Sequence, residues 1–319
     1  MNESTRNHLV GFFLSLTAAV LWGMLPVALK ELLAGMDATT IVWYRMLVAG
    51  VVLSAWLIYK RKLPKLSAVS NRIRWFLVIA ASGLCCNYFL FSYSLNFVNG
   101  ETSEAVIQLT TLFLILGGVV IFKEPFVAIQ KFGTLLIVIG LFLFFNDRLM
   151  EFGSLDNGET VGVLIVVAAA VFWTAYSLLQ KQLLQNFSSV QILQVIYVFS
   201  IFVLLPFITP SSLLQLSQLQ FWMLLFCCVN TLVAYGCFAE ALNRWDASKV
   251  SAVLALAPLA TIGSLKLVVY LNPGYQFSDR LGLLSIVGAL LLVVGSVLTA
   301  LMPVIAQARA RRALAEVVD

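Results

Sequence analysis

Ten apolar runs, each about 20 residues long, follow one another along this chain. They cover 9–30, 38–59, 74–97, 102–122, 127–146, 160–183, 190–209, 219–243, 248–271 and 281–303. A helix of about 20 apolar residues spans a bilayer core, so the pattern predicts an all-α integral membrane protein with ten transmembrane helices. The connections are too short to hold a soluble domain; the longest polar stretches are 60–73, 147–159 and the tail after Pro303. Charged residues make up 11% of the chain, against about 25% in a soluble domain, so most of the surface must meet lipid. The first run contains Pro26 and lacks a small-residue cleavage site at its end. It reads as a retained helix rather than a signal peptide.

Basic residues assign the two sides of the membrane. Arg6, Lys60, Arg61, Lys62, Lys65, Arg72, Arg74, Lys123, Lys131, Lys181, Arg244, Lys249, Arg309, Arg311 and Arg312 fall on one set of connections, 15 of the 20 Lys and Arg residues. The other set holds only Lys30, Arg148 and Arg280, together with Glu31, Asp37, Asp147, Glu151, Asp156 and Glu159. The positive-inside rule places the first set in the cytoplasm. The expectation is a multi-pass protein of the cell (inner or plasma) membrane with both termini cytoplasmic, which fits an even helix count. The net charge of +5 comes from short clusters between apolar runs rather than from a basic face, which argues against a nucleic-acid partner. Cys85, Cys86, Cys227, Cys228 and Cys237 all lie inside apolar runs, and His8 is the only histidine. Neighbouring helical cysteines point about 100° apart and make no CxxC-type ligand pair, so neither a metal nor another cofactor is expected.

Two stretches recur. AAVLWGMLPVALKELL from Ala18 is echoed by AAVFWTAYSLLQKQLL from Ala169, an offset of 151 residues that aligns Trp22 with Trp173 and Lys30 with Lys181. SLNFVNGETSEAVIQLTTL from Ser94 is echoed by ALNRWDASKVSAVLALAPL from Ala241, at an offset of 147. The same order at nearly the same offset indicates an internal duplication. It divides the chain into a first repeat at 9–146, a linker at 147–159, a second repeat at 160–303 and a cytoplasmic tail at 304–319. Five helices is an odd number, so the second repeat enters the membrane upside down. Such inverted repeats are a signature of secondary transporters, whose substrate sites lie near the midplane between the halves.

SLNFVNGETSEAVIQLTTLFLILGGVVIFKEPFVAIQKFGTLLIVIGLFLFF resembles the second half of an EamA domain of the drug/metabolite transporter superfamily. That pattern has a small-residue helix, a Glu at its inner end (Glu124), then a helix bearing Gln130, Gly133 and Gly140. Trp22-Gly23 resembles the family's first-helix motif, Tyr44-Arg45 its second, and Ala257-Pro258 fits the second copy. Thr111 stands where the first copy often has Pro, and Leu271-Asn272-Pro273 where the second Glu would fall. The resemblance covers nearly the whole chain as two EamA repeats. It implies a ten-helix transporter in the lipid bilayer, often an exporter of amino acids or other metabolites. In the family's arrangement the glycine-bearing helices sit away from the cavity, sometimes at a homodimer contact.

Intramembrane polar groups are costly and are functional candidates by default. Arg45 lies about 5 Å from the middle of its helix, where an Arg costs about 2.5–3.5 kcal/mol. It is expected to face the bundle interior, either anchoring a substrate carboxylate or clamping neighbouring carbonyls. Asn87 and Asn230, near the midplane of the third and eighth helices, suit either a substrate amide or an interhelical bond. Gln108, Thr110 and Thr111 add polarity to the fourth helix. Trp22, Trp173, Tyr44, Tyr88, Tyr176 and Tyr235 suit an aromatic cavity wall or core packing, away from the interface belts where Trp concentrates. Lys266 either binds an anionic group in the outer half of the cavity or snorkels. Glu240 is a candidate proton carrier; the alternative is an interface carboxylate held by Arg244 at i+4. A direct Glu240–Lys266 pair is disfavoured by a depth difference of about 20 Å.

Lys30 and Lys181 read as snorkelling helix ends. Glu101, Glu104, Asp37 and Asp246 read as helix-start residues favoured by capping and the dipole. Pro258 is expected to interrupt the ninth helix and free the Leu254 carbonyl. Gly133 and Gly140, and Gly282, Gly288 and Gly295, suit close helix packing.

Together these features point to a secondary transporter, an exporter of amino acids or related small metabolites, working by alternating access and either facilitated or coupled to protons. The expected cavity is built from helices 1, 3, 4, 6, 8 and 9, with Arg45 from helix 2, and reaches the midplane. No P-loop is present to make ATP the direct driver. The alternative within transport is a multidrug or cationic-compound exporter, which would want a central acid in an aromatic cage, whereas the deepest charge here is a cation. A membrane-embedded lipid-modifying enzyme would need Asp, Glu or His clustered at one face, which the chain lacks.

Overall fold

The computed structural model describes residues 3–123, 126–147, 157–244 and 247–299. Every apolar run is helical, and the described residues contain no strand. In chain order the helices are α1 (Glu3–Leu33), α2 (Ala38–Tyr59), α3 (Asn71–Ser94), α4 (Gly100–Ile107), α5 (Leu109–Phe122), α6 (Ala128–Phe144), α7 (Gly158–Leu183), α8 (Ser189–Leu204), α9 (Gln218–Arg244), α10 (Ala247–Leu254) and α11 (Ala257–Leu271). Leu283–Thr299 forms the last, α12. Lipid offers the backbone no hydrogen-bond partner, so segments this apolar satisfy their own N–H and C=O groups as helices. Eight stretches are long and apolar enough to cross a membrane: α1, α2, α3, α4 with α5, α7, α8, α9, and α10 with α11. The other two runs form the shorter apolar helices α6 and α12. The 17 residues of α6 reach about 25 Å, against a hydrocarbon core of about 30 Å.

Local chemistry sets several helix boundaries. Asp37 caps α2 as expected: the Thr40 backbone N–H donates to Oδ1 at 2.9 Å and the Thr40 hydroxyl to Oδ2 at 2.6 Å. Ser188 and Gln191 form a capping box at α8, which satisfies donors that a helix start otherwise leaves bare. At the far end of α5, Lys123 adopts a left-handed conformation with φ 54°, which ends the helix by turning the chain. Glu124 and Asp246 lie outside the described residues.

Two of the apolar runs are broken. The fourth is interrupted at Gln108, between α4 and α5, and the ninth at Ala255–Leu256, between α10 and α11. Ile107 and Leu254, the last residues before each break, occupy equivalent positions at the offset of 147. The expected interruption by Pro258 is therefore displaced. Pro258 sits in the first turn of α11, where a missing N–H costs nothing, and the first break forms without any proline.

Helix packing has the same double character. The α1 helix packs along α9, and α3 along α7; α1 also touches α10 and α11, as α7 touches α4 and α5. The α2 helix packs on α9 and α8 on α3, while α2 and α8 pack on each other. Exchanging the two halves maps the α2–α8 pairing onto itself and each of the others onto another. The α6 and α12 helices cross through glycines. A Cβ on Gly140 would lie 2.8 Å from the Gly288 carbonyl oxygen, and one on Gly295 would lie 2.6 Å from that of Gly133. These glycines thus serve a close antiparallel crossing within one chain. Apolar side chains such as Val120, Phe202 and Leu283 are exposed on the outside of the bundle, where lipid would meet them.

The connections segregate to two ends. The α1–α2 turn, the α3–α4 connection and segments 205–217 and 272–282 share one end. Its cross-links include Thr209 N–H to Thr40 Oγ1 at 2.8 Å and Asn99 Nδ2 to Asp279 Oδ1 at 3.0 Å. The basic 60–70 connection lies at the other end, where Gln191 Nε2 donates to the Lys62 carbonyl at 2.7 Å.

Candidate functional site

Arg45 faces the bundle interior, as its cost in lipid requires, and is 2% exposed. Its Nε donates to Thr231 Oγ1 on α9 at 3.1 Å. Thr231 donates its own proton to the Cys227 carbonyl at 2.8 Å, which leaves its oxygen free to accept. The guanidinium carbon lies 4.8 Å from the centroid of the Tyr88 ring on α3, a cation–π distance. Neither Nη group is bonded to a described residue, and no carboxylate among the described residues pairs with Arg45.

Aromatic rings surround this cation. Tyr88 stacks with Tyr235 of α9 at 6.3 Å, and Trp22 of α1 meets Tyr235 edge-on at 5.2 Å. Tyr88, Tyr176 and Tyr197 are buried in one cluster of α2, α3, α7 and α8 side chains, against which Trp173 and Tyr235 pack. The Tyr88 and Tyr197 hydroxyls are buried without a hydrogen-bond partner. The structure therefore assembles Trp22, Arg45, Tyr88, Trp173, Tyr176 and Tyr235 around one centre. Trp22 meets Tyr235 and Phe238, while Trp173 packs against the buried tyrosine cluster. Tyr44 does not join it; its ring lies 5.2 Å from that of Trp43 and packs with α1 and α9 residues. Sequence reasoning misses Thr231 and Tyr197. Their signal is a hydroxyl group inside an apolar run, in Thr231 directly after Asn230.

The two asparagines tie helices. Asn87 Nδ2 donates to the Ala169 carbonyl of α7 at 2.9 Å, and Asn230 Nδ2 to the Leu21 carbonyl of α1. Asn230 Oδ1 is buried without a partner, so one face of that amide is unused. Gln108 sits in the α4–α5 break and accepts from Ser296 Oγ at 3.4 Å. Glu240 lies beside Arg244 at 2.5 Å, with its side chain 44% exposed, the arrangement of an interface ion pair.

Lysines at the α1–α2 end do not simply snorkel. Lys30 Nζ donates to the Leu95 and Val98 carbonyls at 2.5 and 3.1 Å, tying α1 to the α3–α4 connection. Lys266 Nζ donates to Ser278 Oγ at 3.1 Å and to the Asp279 carbonyl at 2.6 Å. It also lies 3.8 Å from Glu101 Oε1, a partner that the sequence does not identify. Asp279 accepts from Asn99 and from Thr102 Oγ1, the latter at 2.7 Å. This network closes one end of the bundle by joining the α3–α4 connection to the segment before α12. Glu101 stays in the first turn of α4, where the helix dipole favours it, but its Oε1 serves Ser278 and Lys266 rather than a cap, and Glu104 lies beyond the first turn.

A pocket of about 570 Å³ opens at this same end, lined by the α1–α2 turn with Phe89, Tyr93 and Thr209. None of the residues expected to bind substrate lines it. Arg45 and its aromatic neighbours are packed together in this conformation.

A model of the EamA-like transporter family matches residues 9–146 and 160–301. An uncharacterized transporter of Haemophilus influenzae is 42% identical over 293 residues, covering 92% of this chain and 95% of that one. An uncharacterized inner membrane transporter of Escherichia coli is 38% identical, covering 92% and 91%. A probable amino-acid metabolite efflux pump of Escherichia coli is 22% identical, covering 88% and 92%. A solved crystal structure at 17% identity covers 94% of this chain and 99% of its own, with a TM-score of 0.62, a likeness of fold. With both halves matched and close relatives aligned along nearly their whole length, the chain belongs to the EamA-like transporter family and is a membrane transporter.

Proposed function

We propose that this protein exports amino acids or related small metabolites across the inner membrane, with Arg45 anchoring a substrate carboxylate. The observation that carries the reading is the state of Arg45. It is buried near the middle of a membrane helix with one neutral hydrogen bond, no counter-ion among the described residues and unbonded Nη donors. A planar guanidinium binds a carboxylate through two parallel hydrogen bonds, and an incoming carboxylate would supply the missing charge. The aromatic rings around it offer the apolar body of a metabolite a dry surface.

The mechanism we infer is alternating access by two inverted five-helix repeats with ten spanning helices. The duplicated sequence, the equivalent breaks in the fourth and ninth runs and the interchangeable helix pairings support it. The basic 60–70 connection supports a cytoplasmic placement of its end of the bundle, and with it of both termini. The Lys266–Glu101–Asp279 network then closes the outer side. The name carried by the Escherichia coli efflux pump supports amino-acid metabolites as the first substrates to test.

Flux of labelled L-amino acids, sugars and organic cations into proteoliposomes, with and without a pH gradient, tests the proposal. An anionic or zwitterionic carboxylate carried by wild type should be lost in Arg45→Ala at intact folding. Unchanged flux in that variant sinks the anchor.

A further inference from the structure

We propose that Glu104 binds the coupling proton of the transport cycle and is loaded from the end of the bundle closed by Lys266, Glu101 and Asp279. Its side chain is 6% exposed and makes no hydrogen bond or ion pair with any described residue. Gly100, one turn earlier on the same face of α4, points at Pro26 of α1 and at Thr261 and Leu265 of α11. The helix period places Glu104 on the face that Gly100 turns to this largely apolar crossing of α1 and α11.

Helices α1, α6, α7 and α11 pack against α4, and α12, which carries no charged residue, shares a core with Ala105 and Val106. Their charged groups are engaged elsewhere or stand at the helix ends. Lys30 and Glu31 are at the end of α1, where Lys30 holds the Leu95 and Val98 carbonyls. Lys266 of α11 holds Ser278 and Asp279. Glu159 and Lys181 stand in the first and last turns of α7, and Lys131 is exposed on α6. None of them pairs with Glu104. A bare carboxylate without donors is expensive in such surroundings, whereas the neutral acid is far cheaper. The structure thus suits the protonated side chain.

The route to water that we infer runs through Glu101 and Lys266. Glu101, a turn above, accepts from Ser278 Oγ at 2.5 Å with one oxygen, while its Oε2 is buried without a partner. It adjoins Lys266, whose side chain is 46% exposed. One turn below Glu104 the helix breaks at Gln108, so α4 can tilt on α5 without straining a continuous helix. In the step we infer, a proton from water adds to a Glu104 carboxylate oxygen. The neutral helix pair then rearranges, and the O–H proton passes to water on the other side, regenerating the carboxylate. Glu240, ion-paired and 44% exposed, is less suited to this task.

The inference rests on the transport reading but is tested without knowing the substrate. Infrared difference spectra of the reconstituted protein between acidic and alkaline buffer should show the carbonyl stretch of one carboxylic acid in water-poor surroundings. Glu104→Gln should abolish that band and Glu104→Asp should shift it. A band that persists in Glu104→Gln, or that disappears in Glu240→Gln instead, overturns the proposal. So does its absence in wild type. With any amino acid found to be carried, a one-unit pH gradient should sustain up to about a tenfold concentration ratio, falling to about one in Glu104→Gln. A gradient-driven ratio retained in that variant also overturns it. If no amino acid is carried, the substrate reading fails while the infrared result still decides on Glu104.

Discussion

Replacing Asp279 with Ala removes both acceptors that hold the α3–α4 connection against the segment before α12. Asn99 Nδ2 donates to Oδ1 at 3.0 Å and Thr102 Oγ1 to Oδ2 at 2.7 Å. Asp279 is 8% exposed, so water replaces these bonds poorly in the closed state. Hydrogen bonds to a charged group contribute about 1.5–3 kcal/mol each. Opening hydrates every group involved, so the lower bound applies, and the pair contributes about 3 kcal/mol to closure. That is a shift of about 100-fold in a two-state equilibrium between closed and open ends. Lys266 bonds to the main-chain oxygen of Asp279, so the substitution weakens the closure without removing it. Spin labels at Asn96 and Gln276, both exposed, report the separation of the two segments by electron–electron dipolar spectroscopy in lipid nanodiscs. Wild type should show one short distance, and Asp279→Ala a second, longer population; Asp279→Asn, which keeps one acceptor, should fall between them. Superimposable distance distributions for wild type and Asp279→Ala would refute the assignment of this network as a closure.

Gly288→Ala would place a Cβ 2.6 Å from the Gly140 carbonyl oxygen and 2.9 Å from the Leu143 carbonyl carbon. Backbone cannot rotate aside, so α6 and α12 must separate at a cost of about 1–3 kcal/mol, read as a lower midpoint in denaturant titration. Gly236→Ala, with nothing within 4 Å of the new carbon, is the matched control, and equal midpoints would contradict the close crossing. Asn87→Ala and Asn230→Ala each remove one interhelical bond, worth about 0.6 kcal/mol, and should lower stability equally. Only Asn230 carries a buried, unpartnered oxygen, so Asn230→Ala should lower flux more than Asn87→Ala; equal flux assigns both to packing.

Features that depend on neighbours along the chain are legible in the sequence. Asp37 caps α2 because the donor it satisfies belongs to Thr40, three residues on. Glu240 meets Arg244 because an α-helix brings i and i+4 together. The break at Gln108 is not legible, because the chain there contains no proline or glycine and the helix ends without a local breaker. The misassignment of Glu104 has a related origin. Its position near a helix start suggests a cap, but α4 begins at Gly100 and Glu104 falls a turn too late to meet the bare N–H groups. Lys30 reads as a snorkelling side chain, since the carbonyls that hold it, 65 and 68 residues along the chain, leave no mark near it.

By itself, then, the sequence determined the membrane class, the helical runs, the duplication and the family. Hydrophobic length and repeat spacing are properties of contiguous residues, and lipid permits few backbone solutions to them. The tertiary structure alone decided that Arg45 meets Thr231 and Tyr88 rather than a carboxylate, that Lys266 turns to Glu101, and that Glu104 is buried without a partner among the described residues. Each depends on how helices distant in sequence rotate about their axes as they pack. A rotation of one residue, about 100°, sends a side chain from the bundle interior to lipid, and side-chain contacts across the whole bundle set that rotation.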